Sequence, residues 1–153
     1  MKRLQRLAKV TDYVSRFRVP SCPDITPIIT VNQENATSQL ARSSGDQLLI
    51  ALPEGRCSGA DTDGCDESVS FAIFVLSKVN GPARTNESAQ VAYGRLLGIL
   101  DACLERLTDD LIGGETGAPC PQLTGLDLTM VDVVPEYSVF GGWSGYYAEI
   151  VLE

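Results

Sequence analysis

The stretch VSFAIFVLSKV, residues 69–79, decides the fold. Successive side chains of an extended chain point to opposite faces. Val69, Phe71, Ile73 and Val75 therefore share one face, and Ala72, Phe74 and Leu76 share the other. Apolar residues on both faces mark a central strand covered on both sides. Toward the N-terminus, PEGRCSGADTDGCDES at 53–68 reads as a long Gly- and Asp-rich loop, and QLLIAL at 47–52 as a short buried strand. A loop of that length inside a compact domain is usually functional or mobile. Toward the C-terminus, NGPART at 80–85 is a turn that opens onto a helix over 86–112. Leu97, Leu100, Leu104, Leu107 and Leu111 form one apolar stripe on that helix. Thr85 or Asn86 is its expected N-cap, and Gly113-Gly114 its stop.

Further out, Leu4, Leu7, Val14 and Phe17 recur at helical spacing, which predicts a basic N-terminal helix within 1–19 that ends before Pro20. Ile25, Ile28, Ile29 and Val31 suggest an extended segment that Pro27 confines to an edge. NQENATSQLARSSGD at 32–46 reads as an exposed loop, as does GGETGAPCPQLTG at 113–125. Residues 126–137 and 143–152 are expected as a C-terminal β-hairpin, with Gly141 and Gly142 supplying positive φ in the connection. Pro135 implies a bulge or an edge in its first strand. The expectation is one α+β domain over 1–153: a mainly antiparallel sheet, one long helix packed across it, an N-terminal helix and a C-terminal hairpin.

Charge and composition narrow the function. Residues 1–20 hold six bases (Lys2, Arg3, Arg6, Lys9, Arg16 and Arg18) and one acid, Asp12. The remaining 133 residues hold six bases and 19 acids, so the body stands at −13. Such a body repels polyanions and speaks against nucleic-acid binding. The basic end is a candidate for docking on something acidic (a neighbouring copy of the same protein, a membrane surface or nucleic acid), with a solvated amphipathic helix as the plain alternative. No apolar run reaches the roughly 20 residues that span a bilayer, and MKRLQRLAKV lacks the pattern of a secretory signal. The chain has no histidine, which excludes Ser-His-Asp and Cys-His catalysis and imidazole zinc sites. The five cysteines are irregularly spaced and contain no CxxC, so reduced thiols are expected.

Three segments carry candidate sites. Asp61, Asp63, Asp66 and Glu67 are closely spaced carboxylates of the kind that bind Ca²⁺, but they lack the closing ligands of an EF-hand; a solvated acidic loop is the simpler reading. Gly94 and Gly98 lie four apart on the long helix. Their cost of about 1 kcal/mol each relative to alanine is usually offset by close packing on that side. Residues 137–147 concentrate the aromatic residues: Tyr137, Phe140, Trp143, Tyr146 and Tyr147. Aromatic side chains on a hairpin tip often anchor protein interfaces; the alternative is that they fold back onto the core. The interface expectation rests on Tyr137, Phe140, Trp143 and Tyr146, with Arg3 and Arg6 from the basic end. On that expectation, replacing Phe140 and Trp143 by alanine weakens assembly and leaves the monomer folded.

The order of elements, together with Val133-Val-Pro-Glu-Tyr137, Phe140-Gly-Gly-Trp143-Ser-Gly-Tyr146 and the strand that follows to Leu152, resembles the tail-terminator and neck-completion proteins of tailed bacteriophages. The resemblance covers nearly the whole chain. It implies a structural virion protein that forms a ring, usually of six copies, capping the tail tube or joining it to the neck. It further implies neighbouring tail or neck proteins as partners, no catalytic residue and no cofactor, and a location in the virion after assembly in the host cytoplasm. Two other readings remain open at this point: a ferredoxin-like protein-binding module, and an enzyme built on a carboxylate-metal site.

Overall fold

A computed structural model describes residues 4–59, 66–78, 86–113 and 120–153, with the backbone alone for residues 66 and 86–89. The protein is α+β. Its elements run α1 (Gln5–Ser15), β1 (Ile28–Thr30), α2 (Gln33–Leu40), β2 (Gln47–Ala51), β3 (Glu54–Ser58), β4 (Asp66–Lys78), α3 (Asn86–Ile112), a 3-10 turn over Pro121–Leu123, β5 (Leu128–Val139) and β6 (Trp143–Leu152). The sheet order is β1-β2-β4-β6-β5, and β3 also pairs with β4. All pairings are antiparallel except β1 with β2.

The stretch quoted first is the central strand. β4 pairs with β6 through ten residue pairs, Val69↔Leu152 to Lys78↔Trp143, and with β2 and β3 along its other partners. β2 ends its ladder at Ile50↔Ile73, and β3 resumes at Glu54↔Ser70. Residues 51–53 thus stand opposite residues 71–72, a one-residue bulge at which Pro53 has no N–H to place in a ladder.

One face of the sheet carries the main core. Val69, Phe71, Ile73 and Val75 of β4 meet Val10, Val14 and Phe17 from the α1 end and Leu96, Leu100, Cys103 and Leu107 of α3. The buried line of α3 is therefore 96-100-103-107, rotated slightly from the leucine stripe expected: Leu97 is exposed and Leu104 and Leu111 are half-buried. Gly113 closes α3 with φ +90° and donates its N–H to Asp109 O at 2.8 Å, as the sequence implies.

Four expectations are corrected. Residues 32–46 are not an exposed loop, because α2 occupies 33–40. Asn32 caps it by accepting the Asn35 N–H at 2.8 Å, which satisfies an otherwise unpaired donor of the first turn. Ala36 and Leu40, one turn apart, are buried with Leu49, Leu76 and Trp143 in a second, smaller core on the opposite face of the sheet. That helix makes the crossover between β1 and β2 and explains their parallel pairing. Segment 53–68 is not one loop, since β3 and the start of β4 lie within it. Residues 113–125 likewise contain the 3-10 turn. Finally, β4 is covered on both faces only toward its C-terminal end. Around Ser70 and Ala72 the α2 face of the sheet is open, and both residues are half-exposed.

Candidate functional site

The C-terminal hairpin is built as the sequence predicts, and its detail decides which aromatic side chains reach the surface. β5 and β6 keep one register from Met130↔Val151 to Glu136↔Gly145, then shift before Val139↔Trp143. Ser138 takes φ +52° there and donates its N–H to Ser144 Oγ at 2.9 Å. Phe140, Gly141 and Gly142 all have positive φ, which glycine adopts at no steric cost. Gly145 is held by a different demand: a Cβ at that position would collide with the carbonyl oxygen of Val75 on the neighbouring strand.

Trp143 is 1% exposed. It points to the α2 side of the sheet and fills the second core with Ala36, Leu40, Leu49 and Leu76. The expectation that Trp143 anchors an interface is thereby corrected: its ring is a core side chain, and truncating it removes packing from the monomer. Phe140 is half-buried and stands edge-on to Phe74, with ring centroids 5.3 Å apart. Tyr146 is half-buried and meets Tyr93 of α3 edge-on at 5.5 Å, while the Tyr93 hydroxyl donates to Glu136 O at 2.7 Å. Of the four aromatic residues singled out, Tyr137 alone projects fully from the surface, at 79% exposure.

The remaining candidates separate in the same way. Arg3, Asp61 and Asp63 lie outside the described residues, as does the side chain of Asp66. Glu67 is buried, and its carboxylate caps α1: the Arg6 N–H donates to Oε2 at 3.0 Å and the Leu7 N–H to Oε1 at 2.8 Å. α1 has no capping side chain of its own at Leu4 and no acid in its first turn, so this carboxylate supplies the missing acceptors and a favourable charge at the helix N-terminus. Arg6 also donates its guanidinium to Glu67 O at 3.1 Å. Among the described residues no group of three or more acidic, cysteine or histidine side chains is placed to hold a metal ion.

Two features escaped the sequence reading. The first is the exposure of β5. Among the described residues β6 is its only strand partner. Its apolar side chains lie open on both faces, Met130 and Val134 on one and Val133 on the other. The second is a groove of about 510 Å³ between β5 and α3, lined by Gly94, Leu97, Gly98, Asp101, Leu104 and Val133 among others. Among the described residues, a Cβ at Gly94 or Gly98 would meet nothing within 4 Å. The close packing expected against this glycine pair is not made among the described residues, where the pair faces the groove instead. The sequence showed the pair. It could not show that the sheet extends past α3 to form a wall beside it.

The C-terminal end of α3 holds a polar cluster. The Tyr13 hydroxyl donates to Asp110 Oδ2 at 2.6 Å, and Arg106 Nε donates to the same oxygen at 3.2 Å. Burial, then the bond to Asp110, pushes the Tyr13 phenol well above its ordinary range. Asp110 is thus a structural acceptor and not merely a solvated acid. Burial also pushes the Cys103 thiol up to about 12, with Cys22 nearby adding to the shift. Cys120 donates its thiol to Gln122 Oε1 at 2.8 Å.

No helix among the described residues is long and apolar enough to cross a membrane. Compared with known families and with curated proteins, the chain matches neither a family model nor a curated sequence.

Proposed function

We propose that this chain is a structural assembly protein that forms a ring with copies of itself, in the manner of the tail-terminator and neck-completion proteins it resembles, and that it catalyses no reaction. The observation that carries this reading is β5. A 12-residue edge strand with exposed apolar side chains on both faces is what soluble chains avoid unless another surface covers it. Tyr137 at its end is the kind of exposed aromatic side chain that anchors interfaces. The −13 body suits stacking on other proteins and not on nucleic acid. In this reading the partners are further copies and neighbouring tail or neck proteins, and the protein resides in the virion.

The test is the mass of the purified chain by light scattering after size exclusion, with electron microscopy of the same fractions. A closed ring, near six times 16.4 kDa, is the expected result. A monomer at every concentration would favour a second reading, a small binding module. The open sheet face around Ala72 favours that alternative: it holds a shallow cavity of about 150 Å³ lined by Leu52, Ala72, Tyr147 and Glu149 among others.

A further inference from the structure

We propose that the groove between α3 and β5 is the seat for a second copy of this chain, which presents the basic outer side of its α1 to it. The inference rests on the assembly reading above and names the two surfaces that would meet. The groove is apolar at its floor, where Leu97, Leu104 and Val133 lie, and roomy where Gly94 and Gly98 leave no side chain. Its α3 side carries acids: Asp101 lines it, and Glu105 and Asp109 follow along the helix a turn apart, outside the lining; all three are exposed. Acids four apart on a helix repel one another. Asp109, in the last turn of α3, also opposes the helix dipole, and α3 has no base in that turn. Both α3 guanidiniums are engaged elsewhere, Arg95 with Asp46 and Arg106 with Asp110. This side therefore carries a charge that a cationic surface would relieve.

The chain itself supplies such a surface. On α1, Lys9 is exposed and Arg6 half-exposed; Arg16, its C-cap, is exposed and pairs with Asp12 at 3.2 Å; Lys2 and Arg3 precede them in sequence. An acid-flanked groove repels polyanions and is complementary to this helix. The two surfaces are different patches: α1 packs against β3, β4 and the 3-10 turn and is bonded to the C-terminal end of α3 through Tyr13 and Asp110, whereas the groove lies between α3 and β5. A contact between different patches of identical chains is heterologous, and its repetition closes a ring or extends a filament. Side-chain docking in the groove fits β5 better than addition of a strand to its edge. Register shifts near both ends of β5 and Pro135 within it shorten any ladder it could offer.

The test uses the full chain, with light scattering over a range of concentrations. Three samples are compared with wild type: Asp101→Lys with Glu105→Lys, Lys9→Glu, and an equimolar mixture of these two variants. Far-UV circular dichroism and the fluorescence of the buried Trp143 verify folding. Each variant alone is expected to assemble at least about tenfold more weakly, since like charges brought together across an interface are costly. The mixture is expected to recover, because in alternating order every junction again joins opposite charges. Wild-type assembly left unchanged by both reversals would overturn the proposed surfaces and leave the ring reading standing. Weakening without recovery in the mixture would overturn the pairing of α1 with the groove. A wild-type chain that stays monomeric throughout would overturn both the surfaces and the ring.

Discussion

The Tyr13 hydroxyl and the Asp110 carboxylate meet at 2.6 Å although 97 residues separate them in sequence. This bond fastens the first helix to the C-terminal end of the longest one, and Arg106 holds the carboxylate in place at 3.2 Å. Tyr13→Phe keeps the ring's packing against Phe17 and removes only the donor. A loss of about 1.5–3 kcal/mol is expected in urea unfolding, as for a hydrogen bond to a charged group. A loss below a few tenths would show that the bond contributes nothing net.

Glu67 is the acceptor for two N–H groups at the start of α1. Glu67→Gln keeps the shape but removes the charge and leaves one acceptor oxygen. It should cost about 1–2 kcal/mol, with Glu67→Ala costing more. Hydrogen exchange at the Arg6 and Leu7 amides should rise in both variants before the rest of the chain is affected. Unchanged exchange at those two amides would contradict the capping role.

Trp143 and Tyr137 stand six residues apart and should behave as opposites. Trp143→Ala empties part of the second core and is expected to cost about 3–5 kcal/mol. Tyr137→Ala touches an exposed ring and should stay within about 0.5 kcal/mol in the monomer, while weakening assembly. Thermal denaturation followed by circular dichroism separates the two. Equal effects on stability would refute the division between core and surface.

Among the described residues nothing stands within 4 Å of a Cβ at Gly94 or Gly98, and on a helix alanine is the better residue. Gly94→Ala and Gly98→Ala should each stabilise the monomer, by up to about 1 kcal/mol. The same changes narrow the groove and should not strengthen assembly. Destabilisation by either would mean that the glycine side is packed in the folded chain.

The buried thiol of Cys103, pushed up to about 12, gives a dependence on alkaline pH. The folded state keeps the proton that the unfolded chain releases near its ordinary value of 9.0. The stabilisation is complete below that ordinary value and is lost as pH rises from there toward about 12. Cys103→Ala should flatten this part of the stability profile, whatever it costs at neutral pH. In the native wild type at pH 8, Cys103 should resist iodoacetamide until the chain unfolds.

The long, strongly periodic elements were legible in the sequence. β4 announced itself by apolar residues on both faces, α3 by its leucines and Gly113, and the hairpin by alternation around Gly141-Gly142. The short elements were hidden for physical reasons. α2 buries only Ala36 and Leu40 in eight residues, so its apolar signal is weak and its cap at Asn32 resembles a turn. β3 is exposed along its whole length and owes its strand to pairing with β4, not to its own side chains. The error over Trp143 follows from the first of these. Without α2 there is no second core for the ring to enter, and an aromatic cluster alone does not say which side chains turn inward. The α3–β5 groove depends on how far the sheet extends past the helix, a property of strand order that no local pattern encodes.

The cap on α1 also sets an order of events during synthesis. An 11-residue helix is marginal in water on its own, and the carboxylate that completes it lies some sixty positions further along the chain. The α1 segment is therefore made well before the residue that secures it, and it waits as a basic, uncapped segment until β4 has been made. During that interval its apolar side, Val10, Val14 and Phe17, has no core to enter. A nascent chain thus exposes this cationic segment to whatever is nearby before the acidic residues that follow it exist to balance it.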